Sequence, residues 1–579
     1  MRLNWGTAPI GPFEIFEICL VLIAVAVAFL RPGLGGGWFR KVEAAIARIS
    51  RRHLRCALLL FLFPIVLRLI LLPVYGPPAP IISDEYAYLL QADTFASGRL
   101  TNPPPALPEH FTSVYVLAQP TYNAEYQPGQ GLVLAAGQVA TGLPWSGVLL
   151  SMGVLCAAVY WALLAWLPET WAFAATFLIV DVQLGVLSYW VNSYWGGCVP
   201  AIGGALVLGA LPRILTGNPA LYSFVTASGL ILLINSRPLE GLFLILVVSG
   251  ALLYWTFLSK EISSGIFVRR VVPSFAVSAL AAMAFAGYYN YRVTGKATEF
   301  PYLLYRAHYG LPQGFFWQKP VTVNTTSMPA DIRSEYEDQM RQHERRKSVK
   351  ALLGATGGKL RRFWEFYIGI PLTLTLLFLP FIARTVNFGL AIWTLLLVLG
   401  VDNLLFFAYF PHYSAAVAVL IVFVLAQCIR RMRQAGEAGL FLSRALPLVC
   451  CLVLLVTVCG RLFENILPPG ATGLRRLWQS EFEHDIAREK FAPALGREPG
   501  LQLVLVRYKP YNGLKKFEWI FNRADIDRAK VVWAREVDDP QSNQRLIEHL
   551  AGRKLWLAEP DAVPPRVTAL PGNRLHSLQ

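Results

Sequence analysis

Charge is what this chain has least of. Only 36 of its 579 residues are Asp or Glu and 15% are charged at all, against roughly 25% in ordinary globular proteins. So little charge cannot clothe the three or four soluble domains that the length alone would suggest. Nucleotide signatures are missing too. No G-x-x-x-x-G-K-[ST] occurs, and the glycines at Gly33–Gly37 do not fit G-x-G-x-x-G, which argues against direct use of a nucleoside triphosphate. No C-x-x-C is present, and His343-Glu344 is followed by arginines rather than a second histidine, so a zincin helix is excluded. Seven of the eight cysteines lie in apolar runs, with only Cys198 near a helix end; they read as small buried hydrophobes, not a disulfide framework. No cofactor is implied. A divalent metal is compatible with the sequence, but no motif supports one.

Apolar residues are what the chain has in plenty. They make up 55% of it, with a mean hydropathy of +0.46, and they come in blocks. The expected fold is an all-α polytopic membrane protein of about twelve transmembrane helices. The candidate segments are 10–30, 56–75, 145–167, 170–189, 195–212, 220–235, 240–258, 271–290, 363–383, 386–408, 413–429 and 445–460. In the first, Pro9, Glu14 and Glu17 stand where a signal peptide has its basic region, and no small-residue cleavage site precedes Arg31. It reads as a retained anchor.

Lys and Arg total 52, giving a net charge of +16. In a membrane protein this excess is read as cytoplasmic anchoring rather than nucleic-acid binding. The connection 31–55 carries Arg31, Arg40, Lys41, Arg48, Arg51, Arg52 and Arg55, so it is placed inside. Alternation then brings Arg213, the Lys260–Arg270 stretch, Arg384 and the Arg430–Arg444 stretch to the same side. The other side receives loops 76–144 and 291–362 and the tail. The second loop carries basic residues from Arg341 to Arg362, but long loops translocate largely regardless of charge. Residues 129–141 are too short to span and read as an interfacial helix; Asp331–Lys350 interleaves both signs, as a solvated helix does.

Three parts are expected: an anchor helix with its basic connection at 1–55, a membrane body at 56–460, and an extracytoplasmic domain at 461–579. In the tail, Leu501–Tyr508 and Lys530–Ala534 read as buried strands, Gln544–Leu550 as a helix and Lys554–Ala558 as a strand. That order predicts a small α/β domain, compact enough to fold alone. The expected location is a bacterial-type inner membrane, multi-pass, with the active face extracytoplasmic.

Polar clusters fall at the outer helix ends. After the second span comes a proline-rich break and then Ser83-Asp84-Glu85-Tyr86, with Ser83 placed to cap a short helix. Two acids in a first helical turn are explained by the helix dipole alone. Their position at the interface makes them a candidate general base as well. The segment Ser188–Gly197 carries Asn192, Tyr194 and Trp195. An aromatic belt accounts for it, and so does stacking on a sugar with Asn192 on its hydroxyls. Arg237, Pro238 and Glu240 form a tight turn in which the arginine either snorkels or holds fixed geometry. Arg292 is similar, and His412 opens a helix within Phe410-Pro-His-Tyr413, where a lone histidine is more often structural.

Asp84-Glu85 opening the first large loop, Tyr126-Gln-Pro128-Gly-Gln-Gly-Leu-Val-Leu leading the interfacial helix, and the many-helix body together resemble the GT-C superfamily of membrane glycosyltransferases. The resemblance is to bacterial relatives of the protein O-mannosyltransferases and lipid A aminoarabinose transferases, over about 56–430. It implies that Asp84 is the catalytic base with Glu85 the adjacent acid. It also implies a sugar donor on a polyprenyl phosphate and a glycan, lipid or protein acceptor. Arg237, Arg292 and His412 would then hold the donor phosphate, and Asn192, Tyr194, Trp195, Glu240 and Tyr126 the sugar or acceptor. Two departures stand out: an extra helix precedes the family's first, and Gln127-Pro128-Gly129 replaces a tandem-proline or Lys-Pro-Pro form. Competing readings are a transporter or glycolipid flippase, which predicts ionisable residues at helix midpoints such as Asp181, and a non-catalytic scaffold.

Overall fold

The computed structural model describes residues 12–311, 319–320, 323–382, 391, 393–400, 409–463, 487–509 and 519–570. Most of these form helices. Seven are long and apolar enough to cross a membrane: Phe13–Leu30, His53–Ile70, Trp145–Leu163, Pro238–Leu258, Ser264–Thr294, Pro411–Arg433 and Gly436–Cys459. The chain is a polytopic, mainly helical membrane protein with a small C-terminal sheet.

The other expected spans differ. Segments 195–212 and 220–235 form the shorter apolar helices Cys198–Ala210 and Pro219–Ile234. Segment 363–383 belongs to a pair, Val349–Tyr367 and Gly369–Ile382, bent by 98°. Segment 170–189 is a helix, Glu169–Ala175, that widens into a π-helix at Thr176–Leu184. Segment 386–408 lies largely outside the described residues.

The first loop is built on two helices packed face to face, Ser83–Ala96 and Pro128–Thr141. Ser83 is the first residue of its helix rather than the cap. The capping acceptor is Glu85, whose carboxylate takes the N–H groups of Ile81 and Ile82 at 2.8 and 3.3 Å.

The tail forms a four-stranded sheet in the order Val531–Arg535, Gln502–Val506, Lys554–Glu559, Arg566–Ala569, the first three parallel and the last antiparallel. The first three strands in sequence fall where the sequence puts them, the helix begins four residues earlier, at Pro540–His549, and the strand Arg566–Ala569 was not expected. The central strand is apolar on both faces, as a parallel sheet covered on both sides requires. Val504 and Val506 pack with Leu495, Trp519 and Trp533. Leu503 and Leu505 belong to a core with Tyr86, Ala87 and Leu90 of the first-loop helix and with Phe111, Val116 and Tyr122. Arg535 forms a buried ion pair with Asp331 and donates to the Thr112 carbonyl at 2.8 Å. Arg523 bonds Asp93 at 2.7 Å, and the Tyr86 hydroxyl donates to Glu489 at 2.6 Å. The domain therefore shares its core with the first loop instead of closing on itself.

Candidate active site

The first turn of the Ser83–Ala96 helix carries two acids in unlike settings. Glu85 is buried, and its other oxygen accepts the Tyr194 N–H at 2.8 Å. Burial pushes its carboxyl up to about 7, against the pull of three backbone N–H donors, and nearby Asp84 adds to the rise. Glu85 is thus a structural tie between the loop entry and the aromatic segment. Tyr194 makes the same link from its other end, donating to the Pro78 carbonyl at 3.0 Å. Asp84 is less buried, and its Oδ1 accepts the Tyr126 hydroxyl at 2.6 Å. Tyr126 stacks on Tyr88, ring centres 4.6 Å apart.

Arg237 arrives from another helix junction. Glu240, one turn on and buried, holds its guanidinium at 2.9 and 2.5 Å, and the Tyr413 ring lies under it at 4.3 Å. Asp84 and Arg237 both act electrostatically on Tyr88 and on Tyr413, so the carboxylate and the guanidinium lie near the same two rings. Two close approaches fix this. Gly129 N–H donates to the Asn235 carbonyl at 2.8 Å, and a Cβ there would lie 2.6 Å from that oxygen. A Cβ on Gly204 would lie 1.9 Å from the Ala416 carbonyl. Glycine at both positions lets the Tyr126 and Tyr413 segments close on the rest.

His412 is buried among Tyr189, Trp195, Phe410 and Tyr413. Its Nδ1 shares a 2.8 Å hydrogen bond with the Tyr189 hydroxyl, and its ring meets Trp195 edge to face at 4.5 Å. His412 and Trp195 thus adjoin the Arg237 side. Asn192 is placed differently: its Oδ1 accepts Arg68 Nε at 2.9 Å and its amide nitrogen donates to the Val186 and Ser188 carbonyls. It holds the wall. Arg292 stands apart on an exposed helix end, donating to the Tyr288 hydroxyl at 3.1 Å.

The sequence reading missed several neighbours. Arg68, buried in the His53–Ile70 helix, also donates to the Gly76 carbonyl at 2.6 Å and lies over the Trp145 ring at 4.6 Å. Glu125 is buried beside Tyr126 and has one oxygen without a hydrogen-bond partner. Burial pushes its carboxyl up to about 8; Arg306 opposes the rise, while Asp84 and Glu335 reinforce it. Glu335 in turn accepts the Tyr115 hydroxyl at 2.7 Å. The signal for Glu125 was its place one residue before Tyr126; Arg68 was hidden inside an apolar run. Among the described residues no group of three or more His, Cys, Asp or Glu is arranged to hold a metal.

No family model and no curated protein matches the sequence. Among solved structures, the chain is similar to ArnT from Cupriavidus metallidurans in the apo state, at 14% identity and a TM-score of 0.48, over 86% of this chain and 92% of that one. ArnT bound to undecaprenyl phosphate aligns at 12% identity and a TM-score of 0.44 over the same shares, 86% and 92%. The apo oligosaccharyltransferase of Archaeoglobus fulgidus aligns at 11% identity and a TM-score of 0.41, over 79% of this chain and 62% of that one. Both neighbours are members of the GT-C superfamily. Likeness at this distance carries no information on substrate.

Proposed function

We propose that this protein is a membrane glycosyltransferase of the GT-C type, moving a sugar from a polyprenyl-phosphate donor to an acceptor hydroxyl at the extracytoplasmic face. The observation that supports the reading is that Asp84, held by Tyr126 at 2.6 Å, lies near the same two tyrosines, Tyr88 and Tyr413, as Arg237. A base and a fixed cation in one site are what such a transfer needs. Asp84 takes the proton from the acceptor hydroxyl as that oxygen attacks the anomeric carbon in line. The new C–O bond forms as the bond from the anomeric carbon to the phosphate oxygen breaks, and configuration inverts. The electron pair leaves with the phosphate, whose growing charge Arg237 meets. Tyr88, Tyr126 and Trp195 offer faces for the sugar, and His412 braces the Arg237 side.

Transfer from a polyprenyl-phosphate sugar by purified protein tests this. Asp84→Asn keeps size and the Tyr126 bond but cannot accept the proton, so it loses about 10²–10⁴-fold in rate while folding is retained. Arg237→Ala weakens donor binding and turnover together, because the phosphate is charged before and after bond cleavage. A wild-type rate in Asp84→Asn overturns the assignment. The transporter reading draws on Asp181, fully buried in the π-helix, whose two carboxylate oxygens have no hydrogen-bond partner among the described residues. That reading predicts that Asp181→Asn stops glycolipid movement across vesicles and leaves transfer intact.

A further inference from the structure

Arg292 leads to a second cleft, of about 670 Å³, whose lining includes Arg99, Thr101, Asn102, Thr121, Tyr288 and Arg292. It lies past the C-terminal end of the helix that Asp84 opens. Fourteen helical residues separate the two ends, and at 1.5 Å per residue that is about 20 Å, too far for one small group to touch both. Among the described residues neither Arg99 nor Arg292 has a carboxylate partner; Arg292 donates to the Tyr288 hydroxyl and lies over that ring. Three further groups on the same wall are unsatisfied. Asn102 is 1% exposed, and its amide nitrogen is fixed by Thr94 Oγ1 at 2.8 Å and the Tyr122 carbonyl at 3.0 Å, yet its Oδ1 accepts nothing. Thr101 Oγ1 and Arg99 Nε are also buried without a partner. Buried polar atoms left unpaired are uncommon and point to something that pairs them.

The chemistry of the wall selects the ligand. Two guanidiniums call for an anion, and Arg is the side chain best shaped for phosphate. The Asn102 oxygen calls for a donor, which a hydroxyl supplies, and Thr101 can give or accept. We propose that this cleft is a second binding site, for a phosphate carried on a polyhydroxyl group. Two sources present that chemistry: a phosphorylated sugar, such as a distant unit of an extended acceptor, and the head of phosphatidylglycerol, because Arg292 closes an apolar helix. The inference goes beyond the transfer reading and stands without it, since it is read from binding alone.

The test uses the full-length protein in phosphatidylcholine nanodiscs, with mannose 6-phosphate and mannose as soluble probes followed by calorimetry. A second arm adds phosphatidylglycerol and reads the lipid retained by native mass spectrometry. The expected result is that one phosphate probe binds the wild type, and that Arg99→Ala with Arg292→Ala weakens it by about tenfold or more, the loss of charge-assisted hydrogen bonds. Mannose should bind far more weakly than its phosphate if the source is soluble; retained phosphatidylglycerol lost from the double variant identifies the lipid. Arg292→Glu, a reversal on an exposed side chain, reads the same loss should the double variant fail to fold. The proposal is overturned if neither phosphate probe binds the wild type, or if the variants bind as the wild type does.

Discussion

Replacing Gly129 by alanine tests whether the proposed base and phosphate clamp are set by one backbone contact. The new Cβ would lie 2.6 Å from the Asn235 carbonyl oxygen, which also accepts the Gly129 N–H at 2.8 Å. Backbone sits on both sides, so the methyl cannot be accommodated by a rotamer change. The two chain segments must part by about 0.8 Å to restore an ordinary contact of 3.4 Å. Tyr126, which holds Asp84, is three residues before Gly129, and Arg237 is two residues after Asn235. Parting them separates the carboxylate from the guanidinium. Overpacking of this kind costs about 1–3 kcal/mol of stability, whereas a misplacement of about 1 Å at a reacting centre costs ~10²-fold in rate. Gly129→Ala should therefore stay folded, with a modestly lower unfolding midpoint, and lose about a hundredfold in kcat/KM for transfer from a polyprenyl-phosphate sugar. Gly250→Ala, in open space within a helix, is the control and should match the wild type. A Gly129→Ala protein with unchanged kcat/KM refutes the idea that this contact sets the geometry.

Glu125 supplies a pH prediction. Its carboxyl is raised from 4.5 to about 8, so the unfolded chain gives up that proton first, and stability falls as pH rises from about 4.5 to 8, by at most roughly 5 kcal/mol. Thermal unfolding across that range should show the fall, and Glu125→Gln should flatten it; a parallel slope in the variant refutes the assignment. Arg535→Ala strands Asp331 in the buried contact between the tail and the second loop, so about 3–5 kcal/mol of stability should be lost, seen as a marked drop in unfolding midpoint. Arg68→Met removes the donors to the Asn192 Oδ1 and the Gly76 carbonyl. Each acceptor left dry costs about 1–3 kcal/mol, and the variant should be clearly less stable in detergent; equal stability would show that Arg68 is not a clamp.

Hydropathy fixes how deep a residue lies along a bundle, but not where it stands around it. That explains where the fold puts the candidate residues. Asp84, Arg237, Trp195 and His412 were legible as polar or aromatic residues at helix ends, and Tyr126 through the family resemblance; the fold sets Tyr126 on Asp84, and His412, with Trp195 against it, beside the Tyr413 ring that lies under Arg237. Arg292 gave the same signal, yet its helix delivers it to a different flank. Asn192 was read as a sugar contact because its partner, Arg68, sat in an apolar run with no mark of its own. Three of the tail's four strands were legible from short apolar runs, and Arg566–Ala569 was not. Their docking was not, although Leu503 and Leu505 alternating with Val504 and Val506 already needed cover on two faces. Two of the expected spans are interrupted for a local reason: the π-helical stretch and the 98° bend break apolar runs that read as continuous.

The shared core between the tail and the first loop has a consequence for synthesis. Leu90 and Leu503 pack in one cluster, but the ribosome makes them more than four hundred residues apart. At ordinary rates that gap lasts roughly 20–80 s. Throughout that interval Tyr86, Ala87 and Leu90, on the helix that begins at Ser83, lack the part of their cover that Leu503 and Leu505 supply. A chain halted before residue 487 would carry its Asp84, yet lack the tail residues that pack against the helix bearing it. Maturation of the site is thereby tied to the arrival of its farthest-synthesised neighbour.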